Sequence, residues 1–146
     1  MTIDLKSFIA EEKVIHVNYP AIPSWKIELA FLSREKTQKI ASQCSAVKFS
    51  KITHQREEVT DNEKFLKLYT EQIIRGWSGL KIKHLSILVP VDENAVKGKS
   101  EEDVEFSPEN AYLIMTNSIE FDRFISDTLR NVEEFNTELK STTGKN

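Results

Sequence analysis

The stretch WKIELAFL, at residues 25–32, is the clearest strand signal in the chain and decides the fold class. Its large apolar residues alternate with charged ones, which places the apolar residues on one face of a strand: Trp25, Ile27, Leu29 and Phe31. The β-branched stretch VIHVNYP precedes it, and its final Pro20 together with Pro23 marks a turn. We therefore predict an antiparallel hairpin over residues 14–32, with helices covering its apolar face because a lone hairpin is marginally stable.

Helices are predicted on the carboxyl-terminal side of this hairpin. Ser33 is placed to cap a helix in SREKTQKIASQCS, and the next segment, KFSKITHQREEV, suits a connection or a weak strand pair. Thr60 and Glu63 form a capping-box pattern ahead of a broad apolar stripe. Gly76 is placed to end that helix in the left-handed conformation. In this interpretation Trp77 fills the core at a corner, and the next glycine lets the chain turn.

Three further helices follow from stop and start signals. A short helix in LKIKHLSIL is stopped by Pro90. Ser107 caps the next helix, and Pro108 takes its first position. Ser118 caps a final helix from 119 to about 136, in which apolar residues recur at steps of three and four.

The predicted class is α+β: a mainly helical single domain, residues 1–146, with an N-terminal antiparallel β-hairpin. Residues 1–12 form either a short amphipathic helix or a mobile arm. Residues 92–105 form an exposed acidic loop, because they are polar and have no apolar period. Residues 140–146 form a frayed tail.

Composition limits the classes of function. A net charge of −3 and a pI near 5.7 argue against nucleic-acid binding. No apolar run approaches the ~20 residues that cross a bilayer, so we expect a cytosolic protein without a membrane partner. Residues 1–91 carry 14 Lys/Arg and 10 Asp/Glu, a net +4, whereas residues 92–146 carry 6 and 13, a net −7. These halves could attract each other within one molecule, between copies, or through a charged partner, or the charges could simply be solvated.

Support for catalysis is weak. His54 and Glu57 have a spacing that would share one helix face, but a zinc site needs three or four ligands and no further metal spacing is present. Cys44 could pair with a histidine as a nucleophile, although a small buried cysteine is the more common case. We predict no catalytic, cofactor or metal site. A small metal- or cysteine-dependent enzyme is the alternative.

The final helix is the best candidate for an interaction surface. Its apolar stripe includes Phe124, Leu129, Val132 and Phe135. Packing of this stripe on the core is the simpler interpretation. The alternative is that part of the stripe stays exposed and binds a partner helix.

Four stretches in a fixed order carry a family resemblance: IIRGWSGL, LVPVD, FSPENAYLIM and FDRFI. Over residues 25–135 the sequence resembles the tail assembly chaperones of long, non-contractile-tailed bacteriophages. The combination of W-x-G-L and S-P-E-N is its distinctive part. The residues that identify the family are Trp77, Gly79, Ser107, Pro108 and Asn110.

The resemblance implies a chaperone and not an enzyme. Such proteins coat the long, apolar tape measure protein before the tail tube polymerises around it, act as multimers, and leave before the virion is complete. It also implies a location in the cytoplasm of the bacterial host, weak self-association, and a partner tail tube protein recruited through a frameshifted longer form. A structural tail component retained in the virion is the alternative within this class.

The last three residues give a separate hypothesis about the longer form. Gly144, Lys145 and Asn146 can be encoded by a purine run on which a ribosome slips back one base. We therefore expect a programmed frameshift site near residue 146. The gene sequence tests this, because codons that interrupt the run would contradict it.

Overall fold

The fold is given by a computed structural model that describes the backbone of residues 2–49, 51–52 and 54–144. Side chains are described for the same residues except 46–49, 57–60 and 133–144. In chain order the strands and α-helices are β1 (Glu12–Tyr19), β2 (Ile22–Leu32), α1 (Arg34–Gln43), β3 (Ser45–Phe49), β4 (Arg56–Thr60), α2 (Asn62–Ile73), β5 (Ile74–Ser78), α3 (Leu85–Leu88), α4 (Glu93–Val96), α5 (Pro108–Asn117) and α6 (Ile119–Gly144).

The main sheet has three antiparallel strands in the order β1-β2-β5. The predicted hairpin is confirmed as β1 and β2, which pair from Glu12 opposite Leu32 onward, with an irregularity beside Tyr19 near the turn. The predicted α+β class is confirmed as well, since helices make up about half of the chain. One face of β2 is buried and holds Trp25, while Lys26 on the other face is exposed.

The stretch predicted as a helix end and a corner is instead the third strand. α2 ends at Ile73 and the chain enters β5 directly, so Gly76 does not cap the helix in a left-handed conformation. Gly76 lies opposite Glu28 of β2, and this pairing holds it extended. The prediction was wrong because strand pairing with a distant segment overrode a local capping signal. The corner comes at Gly79, with φ +82°, where the turn was expected.

The segment predicted as a connection or weak strand pair forms a strand pair, β3 with β4. The capping box predicted from Thr60 and Glu63 is wrong, because Thr60 belongs to β4 and lies opposite Ser45. Asp61 is the N-cap of α2 instead, and its carboxylate accepts a hydrogen bond from the Lys64 amide at 3.1 Å. Strand pairing therefore moves the start of the helix one residue later.

The core lies between the main sheet and the helices that cover it, with buried residues from α1, α2, α3, α5 and α6. The Trp25 and Phe121 rings stack with centroids 5.0 Å apart, and neither side chain is exposed. The Tyr19 ring has its centroid 5.4 Å from that of Trp25 and 5.0 Å from that of Phe124, which it meets edge-on. Aromatic pairs at these distances add stability beyond the area that they bury.

The predicted capping residues Ser33, Ser107 and Ser118 are confirmed, and each hydroxyl accepts a backbone hydrogen bond from the residue three positions on. α6 continues to Gly144, past the predicted end near residue 136 and into the segment predicted to fray. The sequence contains no Pro or Gly between Ile119 and Gly144, so nothing in it stops the helix. Of the proposed frameshift site, Lys145 and Asn146 lie outside the described residues.

The segment predicted as an exposed acidic loop and the segment predicted as a short helix or a mobile arm both contain short helical turns. Residues 92–105 are largely exposed, but they include α4, and Lys81 pairs with Asp103 in an isolated bridge. Near the amino terminus, Leu5–Ser7 form one 3-10 turn. Among the described helices, none is both long and apolar enough to cross a membrane.

One carboxylate links α1 to the two outer strands of the main sheet. Glu12 of β1 accepts a hydrogen bond from the Lys36 ammonium of α1 at 2.8 Å and from the Arg75 guanidinium of β5, with one contact at 3.3 Å. The bonds from Lys36 and then Arg75 hold the pKa of Glu12 below its ordinary value of 4.5. The three side chains are each about one quarter to one third exposed.

Candidate partner-binding groove

An open, mostly apolar groove lies between α3 with its following proline and the outer face of α5. Its volume is about 470 Å³, and its apolar lining consists of Leu85, Val89, Pro90, Val104, Leu113 and Ile114. Two amide side chains, Asn110 and Asn117, complete the lining. The volume falls in the range of about 300–1,000 Å³ that holds a drug-sized ligand, so the groove has room for large side chains.

The wall formed by Val89 and Pro90 follows from the local sequence. A proline has no backbone N–H and disfavours a helical conformation in the residue before it. Accordingly α3 ends at Leu88, and Val89 is extended, with φ −143° and ψ 157°. The chain leaves the helix at this point, and both side chains line the groove.

The second wall is the exposed side of α5. Ser107 and Pro108 fix the start of this helix, and the Asn110 side chain donates a hydrogen bond to the Glu105 carbonyl at 3.0 Å. Ile114 faces the core and is 6% exposed, whereas Leu113 is 56% exposed and faces the groove. An exposed leucine beside the groove adds to the apolar surface that this side of the chain presents to solvent.

The third wall is Val104, which Trp77 holds in place. The Trp77 indole N–H donates to the Val104 carbonyl at 2.8 Å, and the Val104 amide donates to the Leu80 carbonyl at 2.8 Å. Phe106 meets the Trp77 ring edge-on at 5.1 Å. Trp77 is half-buried and is not part of the lining, so it positions the groove from behind.

Further apolar surface continues beyond the groove. A shallower depression shares Val89, Pro90 and Asn117 with it and includes Ile87 and Ile119. These two isoleucines are 45% and 77% exposed. Together with Leu113 they extend the exposed apolar area along α3, α5 and the start of α6.

The surroundings of the groove are acidic. The lining itself carries no charged side chain, and the stretches that include and flank it, residues 85–97 and 104–123, contain six Asp/Glu against Lys97 and Arg123. All six carboxylates are exposed: Asp92, Glu93, Glu105, Glu109, Glu120 and Asp122. The nearby cations Lys83 and Lys81 contact Glu101 at 3.0 and 3.4 Å, and their hydrogen bonds lower the pKa of Glu101.

The partner-binding residues predicted from the sequence lie elsewhere. Leu129 is 7% exposed and belongs to the core, so in this structure it does not offer a free surface. Phe124 packs against the core through Tyr19, and Val132 is half-buried. The side chain of Phe135 lies outside the described residues.

Sequence reasoning missed the groove, although one signal was available. The buried residues of α5 are Ala111, Ile114 and Met115, which follow the helical period. Leu113 lies outside that stripe. A large apolar residue on the otherwise polar side of a helix indicates apolar surface that the core does not cover. The other walls come from separate segments and carry no common pattern.

The residues considered for catalysis are Cys44, His54 and Glu57, and the structure describes the side chains of the first two. Glu57 lies in β4, so it does not share a helix face with His54. Cys44 is a free, buried cysteine at the end of α1. In the part of the chain that the structure describes, no three His, Cys, Asp or Glu side chains are grouped to hold a metal ion.

The fold and the groove define a small α+β protein with an apolar surface groove. A family model described as YdaY prophage protein matches residues 30–146, so the chain belongs to this family of phage-derived proteins. The matched range contains every wall of the groove. Comparisons with curated proteins and with solved structures gave no match.

Proposed function

We propose that this prophage protein is a tail assembly chaperone that binds the tape measure protein and keeps it soluble while the tail tube assembles. The observation that carries the proposal is the apolar groove, with Leu113 56% exposed on its rim. Membership of a prophage family supports a phage role. The W-x-G-L and S-P-E-N motifs, which resemble those of tail assembly chaperones, supply and position two of its walls.

The chemistry of the groove suits an apolar helix face. An amphipathic helix binds in a groove through residues that recur at steps of three and four. Burying one large apolar side chain contributes about 1.5–3 kcal/mol, part of which offsets the entropy lost on association. A single copy would therefore bind weakly, and many copies along one tape measure would hold it by avidity.

Weak individual contacts also suit a chaperone that must dissociate from the tape measure protein when the tail tube forms. As the tail tube forms around the tape measure, each contact can be displaced separately. The proposal places the protein in the host cytoplasm during assembly and outside the mature virion, and it assigns no catalysis. Recruitment of tail tube protein through a frameshifted longer form belongs to the same proposal.

Co-expression with the tape measure gene of the same prophage tests this function. We expect the wild-type protein to co-purify with the tape measure and to raise its soluble fraction. Leu113→Asp puts a charge in the groove and should reduce both by about tenfold or more, since one buried apolar contact is worth that much. Ile52→Asp is the matched control, because Ile52 is 92% exposed and is not part of the lining.

Two results would contradict the proposal. One is a tape measure whose solubility does not depend on the wild-type protein. The other is equal binding by the Leu113→Asp and Ile52→Asp variants. Mass spectrometry of purified particles separates a chaperone from a structural tail component, because only the structural component stays in the virion.

A further inference from the structure

The turn that leads into α3 is closed by a histidine side chain. Residues Ile82–His84 form a 3-10 turn directly ahead of that helix. The Nδ1 atom of the half-buried His84 ring accepts a hydrogen bond from the Lys81 backbone amide at 3.0 Å. In a capping box this bond back to the amide ahead of the helix comes from a Glu or Gln side chain. Here an imidazole supplies it.

This hydrogen bond requires a neutral imidazole ring. A neutral ring carries its one exchangeable hydrogen on one nitrogen, and the other nitrogen is an acceptor. Because Nδ1 of His84 accepts, that hydrogen is on Nε2. A protonated ring carries a hydrogen on both nitrogens, so it would present a donor to the Lys81 amide, which is itself a donor. Uptake of a proton therefore replaces an attractive contact with a repulsive one.

The same turn is the place where residues 97–104 attach to the rest of the chain. Lys81 lies opposite Asp103 in an isolated antiparallel bridge. Backbone hydrogen bonds join the turn and its preceding residue to this segment: Ile82 amide to Glu102 carbonyl at 2.9 Å, Lys83 amide to Ser100 carbonyl at 3.0 Å, and Val104 amide to Leu80 carbonyl at 2.8 Å. The amide that His84 holds thus belongs to the residue at the centre of this attachment.

Among the residues of the turn and of the facing segment, His84 is the only histidine. The charged groups near it are Lys81 and Lys83 on its own side and three carboxylates on the segment, at residues 101–103, while α3 carries no charge. Carboxylates and ammonium groups ordinarily keep their charge between about pH 8 and pH 5, whereas an imidazole gains a proton there. Hydrogen bonds from Lys83 and then Lys81 hold the pKa of Glu101 below its ordinary value of 4.5, so this carboxylate stays ionised in that range.

We propose that His84 is a pH-sensitive switch, which holds residues 97–104 against the turn while its ring is neutral and loosens them when the ring takes up a proton. The attachment is complete at high pH and weakens as the pH falls through the range in which imidazoles gain a proton. Val104 belongs to the attached segment and Leu85 directly follows the turn, and both line the groove. Proton uptake by one ring therefore acts on two walls of the groove.

NMR of the purified protein tests the switch without any client. At pH 8 the nitrogen shifts of the His84 ring should show a hydrogen on Nε2 and none on Nδ1. Hydrogen exchange of the backbone amides, divided by the intrinsic rate at each pH, gives their protection. We expect protection of the Lys81, Ile82 and Val104 amides to fall by about fivefold or more between pH 8 and pH 5, since one lost hydrogen bond is worth about that factor. The Trp77 indole N–H, which donates to the Val104 carbonyl, should lose protection with them.

Two substitutions separate the His84 ring from other effects of pH. His84→Asn keeps a side-chain acceptor that gains no proton in this range, so protection of these amides should no longer depend on pH. His16→Asn is the matched control, because His16 is an exposed histidine of β1, and this variant should respond to pH like the wild type. Wild-type protection that stays constant with pH, an equal fall in the His84→Asn protein, or a neutral ring with its hydrogen on Nδ1 would each overturn the inference. Binding of the tape measure enters none of these measurements, so the switch and the proposed function can fail separately.

Discussion

The corner at Gly79 gives the sharpest test of the fold. Gly79 has φ +82°, and a Cβ atom built there would lie 1.8 Å from the Ser24 carbonyl oxygen and 2.8 Å from its carbon. Both contacts are with backbone, so the start of β2 must move to admit any side chain. We therefore predict that Gly79→Ala is strongly destabilising.

The size of the effect can be built from two costs. A side chain in the left-handed region costs about 1–2 kcal/mol. Moving Ser24 away also strains the hydrogen bond from its hydroxyl to the Gly79 carbonyl, which is 2.9 Å long and contributes about 1 kcal/mol. Displaced packing adds to these costs, so the free energy of unfolding should fall by at least ~3 kcal/mol.

Gly98 provides a matched control. It has φ +79°, and a Cβ atom there would meet nothing within 4 Å. Gly98→Ala therefore measures the conformational cost alone, about 1–2 kcal/mol. With a urea m-value near 2 kcal/mol/M, the two variants should differ in unfolding midpoint by at least about 0.5–1 M.

Urea unfolding followed by tryptophan fluorescence and by circular dichroism measures both midpoints. Coincident transitions are needed to treat the unfolding as two-state. If Gly79→Ala unfolds at the same urea concentration as Gly98→Ala, the close approach to Ser24 does not exist in solution. The account of the corner at Gly79 would then be refuted.

Two further variants test the ion-pair cluster and the core. Glu12→Gln should cost about 1 kcal/mol at neutral pH. Because the pKa of Glu12 is lowered in the folded state, this contribution to stability is complete above the ordinary pKa of 4.5 and is lost as the pH falls through the folded-state pKa. A difference between the wild-type and variant urea midpoints that persists at about pH 2 would contradict this account. Leu129→Asp should cost at least ~3 kcal/mol, since Leu129 is 7% exposed in the core. Phe124→Asp should cost less, because Phe124 is only partly buried. If circular dichroism shows that the Leu129→Asp protein is folded, Leu129 is not a core residue.

The sequence predicted the elements that depend on neighbouring residues. Strand alternation around Trp25 predicted the hairpin, and serines at helix starts predicted three N-caps that the structure confirms. These signals are local, because side-chain alternation and capping involve residues only a few positions apart. The resemblance to a phage protein agrees with the prophage family of the chain, while the tail role remains a proposal.

What the sequence alone could not determine is how distant segments pair and which helix faces are covered. Gly76 looks like a helix cap until β5 pairs with β2, and Thr60 looks like an N-cap until β4 pairs with β3. Leu129 and Leu113 are both apolar helical residues, yet one is in the core and the other is on the groove. Only the tertiary structure separates them, because burial depends on what packs against a face, and that packing partner comes from far along the chain.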